Sequence, residues 1–287
     1  MKPWWTAALA AISIGAGAVP AASQPAPLSP AQIVASPDRT AADRNNDVRR
    51  HPEQMLGFLA IRPGITAFDL SAAGGYTTEL LARAVGPTGR VFGQSQPRDP
   101  NQPAPRPAAP EGNANPGAPQ AAAPAPAAAP AGPPRTSPIM LAERDARMRA
   151  AGVAAAPIAA VARPFADPIP DELADGKLDL VTLMFNYHDL GFMGVDRAAM
   201  NRAVFRALKS GGQYVIADHA GRPGTGISES GTLHRIEQAF LRQEVEAAGF
   251  RQVDEGMFLR NPNDPRDKNT PNPPQPKDEF VLKFAKP

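Results

Sequence analysis

Three short polar clusters hold the groups of this 287-residue chain whose types and spacing could do chemistry. The first, Asn186–Tyr187–His188–Asp189, follows the apolar run LDLVTLMF (Leu178–Phe185) directly. There His188 is the natural general base near neutral pH, Asn186 can align an acceptor through its amide, and Tyr187 can stack on it. The second cluster is Asp218–His219, which closes the segment RALKSGGQYVIADH (Arg206–His219). The third is His234, Arg235 and Glu237, placed after GRPGTGISESG (Gly221–Gly231), a glycine-rich stretch that suits a lid. His219 and His234 are therefore candidate catalytic or substrate-orienting groups. By ligand type Asp218, His219, His234 and Glu237 also make a conceivable metal set. His and Glu neighbours on helices are mostly solvated or ion-paired, so no metal is expected.

These clusters need elements to hold them. Leu178–Phe185 is apolar throughout, as in a strand buried on both faces of a parallel sheet. Further strands are expected at Ile65–Leu70, Gly89–Gln94, Ala156–Val161, Gln213–Asp218, near Gln252–Leu259 and at Glu279–Phe284. Helices are expected within Ser29–Ala60, then at Gly75–Val85, Ile139–Ala150, Val195–Leu208 and Thr232–Ala248. Strands and helices alternate, which predicts a doubly wound α/β sheet. The last two strands lack a helix between them, which predicts an antiparallel hairpin at the edge carrying a long loop, Asn261–Lys277.

Two segments stand apart from the expected domain. Lys2, the uncharged apolar stretch Trp4–Val19 and the small residues Ala21, Ala22 and Ser23 have the form of a secretory signal peptide, residues 1–23. That predicts a periplasmic or secreted protein, with no stable membrane insertion after cleavage. Pro97–Pro138 holds fourteen of the chain's 35 prolines and has no apolar periodicity. Its prolines remove backbone donors and restrict their neighbours, so residues 97–137 are expected to form a disordered insertion. Residues 24–60 then form a helical cap and 61–287 the α/β domain. With no cysteine, disulfides and thiolate chemistry are excluded. A net charge of +2 with interleaved signs offers no surface for nucleic acid.

In open α/β sheets, ligands sit beyond the carboxyl ends of the strands. Asp69 ends the first strand, and ITAFDLSAAGGY (Ile65–Tyr76) continues into a small-residue turn. Small residues let the backbone approach a ligand, and the following helix offers free N–H groups. Gln94 and Ser95 end the second strand, where a ribose would be met. Together, Ile65–Tyr76 and Arg206–His219 resemble the first and fifth strands of class I S-adenosylmethionine (SAM)-dependent methyltransferases. Leu208–Lys209–Ser210–Gly211–Gly212 is similar to that family's "Leu-Lys-Pro-Gly-Gly" turn. On the family's acid-x-Gly-x-Gly-x-Gly pattern, Ser71 and Ala73 stand at the first two glycines and Gly75 matches the third.

The resemblance is nearest to predicted exported bacterial methyltransferases, through His234–Ile236 after the lid and FLRNPND (Phe258–Asp264). It implies a Rossmann-like sheet of about seven strands and methyl transfer from SAM to a small-molecule acceptor. Asp69, Ser71, Ala73, Gly74, Gly75, Gln94, Ser95 and Asn186 would bind the cofactor. The alternatives are an exported methyltransferase-like binding protein without turnover, or an exported enzyme using the same cleft for other chemistry.

Overall fold

The computed structural model describes residues 1, 27–97, 135–269, 271 and 275–287. The expected signal peptide after Met1, and the expected insertion apart from its edges, lie outside these residues. Among the described residues no helix is long and apolar enough to cross a membrane.

Seven strands form one sheet: β1 (Thr66–Leu70), β2 (Arg90–Ser95), β3 (Ile158–Ala162), β4 (Leu178–Met184), β5 (Leu208–His219), β6 (Arg251–Gly256) and β7 (Glu279–Ala285). Their order is β3-β2-β1-β4-β5-β7-β6, and β7 runs antiparallel to both its neighbours. Strand order reverses between β1 and β4, which puts the ligand crevice of such a sheet beyond those two carboxyl ends.

The central strands are apolar throughout because both faces are covered. Phe68, Leu70, Val181, Leu183, Tyr214 and Ile216 point into one core, shared with Met200 and Val204 of α7 (Arg197–Ala207), which follows the short α6 (Asp189–Phe192), and with Leu241 and Val245 of α8 (Gln238–Glu246). Their neighbours Ala67, Leu180, Val215 and Ala217 point the other way. There they meet Met55 and Leu59 of α3 (Pro52–Leu59), Leu81 and Val85 of α4 (Tyr76–Val85) and Met148 of α5 (Ser137–Ala150). The period of two along each strand thus divides one sequence run between two cores.

The helices expected within Ser29–Ala60 are present, and two other expectations are corrected. The N-terminal segment is three helices, α1 (Pro30–Val34), α2 (Ala41–Arg50) and α3. Ser29 and Gln32 form a capping box on α1, Thr40 caps α2, and His51 (φ 44°) breaks the chain before Pro52. Proline disfavours helical backbone at the residue it follows. β5 begins at Leu208, so the Ser-Gly-Gly sequence lies inside an irregular strand; its register against β4 jumps from Leu208 to Gln213.

The helix expected from Thr232 starts only at Gln238. Residues before it form turns and a parallel bridge between Ala220 and Ile236. The cause is Arg235, which is fully buried and paired with Asp264 at 2.9 Å. Its guanidinium also donates to the carbonyls of Ala220 and Lys268. A helix would carry that side chain elsewhere.

Candidate active site

The turn after β1 is unusual in its backbone. Ser71, Ala73 and Gly75 all have positive φ (61°, 46° and 77°). Non-glycine residues adopt such angles at a cost that surrounding contacts must offset, and they cluster at ligand sites. The contacts here are specific. Ser71 and Ala72 donate their N–H groups to the side-chain and backbone oxygens of Gln94, at 2.9 and 2.8 Å. Arg144 of α5 donates to the carbonyl of Gly74 at 2.5 Å. A Cβ on Gly75 would meet Leu141 at 2.6 Å, so α5 packs onto the turn itself. Among the described residues, Ala73 and Gly74 donate to no backbone carbonyl.

Asp69 is buried beneath this turn and accepts from Thr78 at 2.5 Å and Thr182 at 2.8 Å. Burial pushes its carboxyl up to about 6, against those hydrogen bonds. Beside the turn lies a hollow of about 210 Å³, lined by Asp69, Ser71–Gly74, Asn46, Arg50, Arg144 and Met184 among others. Asn46 and Arg50 belong to α2, which therefore forms part of the hollow's wall.

Asn186 joins the turn to the β4 loop. Its carbonyl accepts from the Ser71 hydroxyl at 2.6 Å, and its amide donates to Asp189 at 2.8 Å. His188 is buried between two carboxylates. Its Nδ1 lies 2.6 Å from Asp218 Oδ1, its Nε2 lies 3.1 Å from Asp189 Oδ1, and its N–H donates to Asp218 Oδ2. Burial alone would lower the imidazole's pKa, but facing Asp218 and Asp189 raises it to about 10. His234, at φ 50°, completes the group with Nδ1 3.0 Å from the same Asp189 oxygen.

The structure therefore brings the tips of β1, β4 and β5 to one edge, as expected, while assigning several residues other tasks. Both ring nitrogens of His188 face carboxylates, Asp218 and Asp189, so in this structure the expected base bridges the two. Tyr187 is turned into the core, where its hydroxyl meets Asn201 at 2.9 Å and Glu244 at 3.0 Å; it does not stack over the hollow. The cause is Phe185, whose positive φ (60°) redirects the chain as it leaves β4. His219 is fully buried, with its ring against His188 and Phe185 and Nδ1 2.9 Å from Glu279.

Gln94 is buried, accepts from Ser71 and donates to the carbonyl of Arg163; of the two β2 residues only Ser95 is partly open. The four groups Asp218, His219, His234 and Glu237 do not assemble. Asp218 serves His188, and Glu237 accepts from the Gly226 N–H. Sequence reasoning missed Asp189 as a hub, and it missed Arg144 altogether. Only the adjacency of Asp189 to His188 hinted at the first.

No family model matches the chain, and no curated protein matches it. Solved structures do. A SAM-dependent methyltransferase from Aquifex aeolicus is 15% identical with a TM-score of 0.50, covering 91% of this chain and 100% of its own. A chain from the complex of the Haloferax volcanii Trm112 methyltransferase activator is 17% identical with a TM-score of 0.51, covering 86% and 93%. At such identities the likeness is one of fold. The chain has the Rossmann-like α/β fold of class I methyltransferases.

Proposed function

We propose that this chain binds SAM at the turn after β1 and transfers its methyl group to a small-molecule acceptor. The observation that carries the reading is the run of positive φ angles at Ser71, Ala73 and Gly75, beside a hollow at the switch point of the sheet. The N–H groups of Ala73 and Gly74, which donate to no backbone carbonyl among the described residues, suit, with Arg50 at the wall, the carboxylate of the cofactor's amino-acid end. Ser95 is the remaining partner for a ribose hydroxyl, since Gln94 is committed to Ser71 and Arg163. The cofactor would supply a methyl group on a sulfonium, so the protein's work is to position the two reactants in line.

With both ring nitrogens of His188 engaged by carboxylates, an acceptor that is already nucleophilic suits this site better than one that must lose a proton to it. The charge pattern, lacking a basic block, favours a small molecule over nucleic acid. The leader-like Lys2–Ser23 segment supports export to the periplasm or beyond. Calorimetric titration of the full chain with SAM and with S-adenosylhomocysteine tests the reading. Saturable binding of both is expected, and a flat trace on folded protein overturns it.

A further inference from the structure

We propose that His188, Asp189 and His234 form a binding site for a divalent first-row transition cation such as Zn²⁺. The inference is independent of methyl transfer. Three potential ligand atoms converge at one point: His188 Nε2, Asp189 Oδ1 and His234 Nδ1 all lie within 4.8 Å of one another. The two nitrogens approach the same oxygen, at 3.1 and 3.0 Å. Metal bonds of about 2.0–2.2 Å place neighbouring ligand atoms about 3 Å apart, so the spacing already suits coordination. Two imidazoles and one carboxylate are a donor set that suits zinc, iron, cobalt or nickel, the cation displacing the proton that His188 Nε2 otherwise shares with Asp189.

The surroundings support the same conclusion. A metal-bound histidine characteristically directs its other nitrogen to a carboxylate, which fixes ring orientation and raises basicity. His188 does this through Nδ1, 2.6 Å from the fully buried Asp218. The ligand carboxylate is oriented too, since Asp189 Oδ2 accepts from Asn186. His234 sits at φ 50°, strain that persists because its neighbour Arg235 is clamped to Asp264 and Ala220.

Exposure of the three side chains grades from 1% at His188 through 21% at Asp189 to 39% at His234. A cation thus has a path from solvent on the His234 side. The chain Ser71–Asn186–Asp189 links this point to the turn after β1. A cation held there would be tied to that turn through these two hydrogen bonds.

The test uses untagged full-length protein, stripped with EDTA and dialysed, then titrated with ZnCl₂ by calorimetry and with CoCl₂ by visible absorption. The chain has only four histidines, so few competing sites exist. One equivalent of Zn²⁺ should bind, and Co²⁺ should give d–d bands of a nitrogen–oxygen site. His234→Ala, at a half-open position, should keep the wild-type circular dichroism spectrum and weaken Zn²⁺ by at least about tenfold. Asp189→Asn should weaken it similarly. Folded wild-type protein that takes up no metal, or binding that His234→Ala leaves unchanged, overturns the site. Neither result bears on SAM binding, which is measured without metal.

Discussion

Glu79 offers the sharpest test of how the N-terminal helices are held. Its side chain is 2% exposed, and its oxygens receive Arg83 at 2.8 Å, Arg144 at 2.6 Å and Arg147. Through the same arginines it reaches Asp38 and Asp43 of the N-terminal segment, at 2.5 and 2.7 Å. Glu79→Gln keeps the shape, removes the charge and presents an amide to guanidinium donors. Removing one partner from a buried ion pair costs about 3–5 kcal/mol. Arg83 and Arg144 each retain a second carboxylate, so the lower end applies, about 3 kcal/mol. In a domain of this size that lowers Tm by about 6–12 °C.

The assay is thermal melting followed by circular dichroism at pH 7, repeated at high salt. Buried pairs are screened little, so the difference should persist there. Glu143→Gln serves as control, because its pair with Arg135 is exposed and should contribute almost nothing. A fall in Tm below about 2 °C, or one abolished by salt, refutes the claim that this network fastens the cap.

Two further outcomes follow from buried groups. Asp69 takes up a proton as pH falls through about 6, whereas an unfolded aspartate does so near 3.9. The folded state therefore binds more protons between those values, and this group adds stability as pH falls through that window. Melting curves from pH 7 to pH 4 should show wild type gaining on Asp69→Asn; parallel curves would contradict the buried carboxylate. Tyr187→Phe removes a hydroxyl shared with Asn201 and Glu244 and should cost about 1–2 kcal/mol of stability. Its affinity for SAM should equal wild type; a large loss of affinity at unchanged Tm would return the ring to the hollow.

What could be read from the sequence was what local pattern controls. The continuous apolar run at Leu178 marked the central strand to within a residue, because burial on both faces leaves no alternation to misread. The missing helix between β6 and β7 marked the antiparallel edge. The residues at the strand tips were also legible, since fold geometry fixes which positions reach that edge. Their roles were not. Whether Tyr187 faces the hollow or the core turns on one backbone angle at Phe185, and whether His188 is a base or a bridge turns on Asp218, thirty residues on. The late start of α8 was hidden for the same reason, since Arg235 and Asp264 meet only in the folded chain.

The bridge between Ala220 and Ile236 has an implication for how this protein can diversify. Gly221 donates to the carbonyl of Ile236, and Ile236 to that of His219, so both ends of the intervening stretch are stitched together at its base. A loop closed in this way behaves as a cassette. Residues within it can be lengthened, shortened or exchanged while the stem stays shut, which lets natural variation or a protein engineer retune the neighbourhood of His234 without renegotiating the sheet.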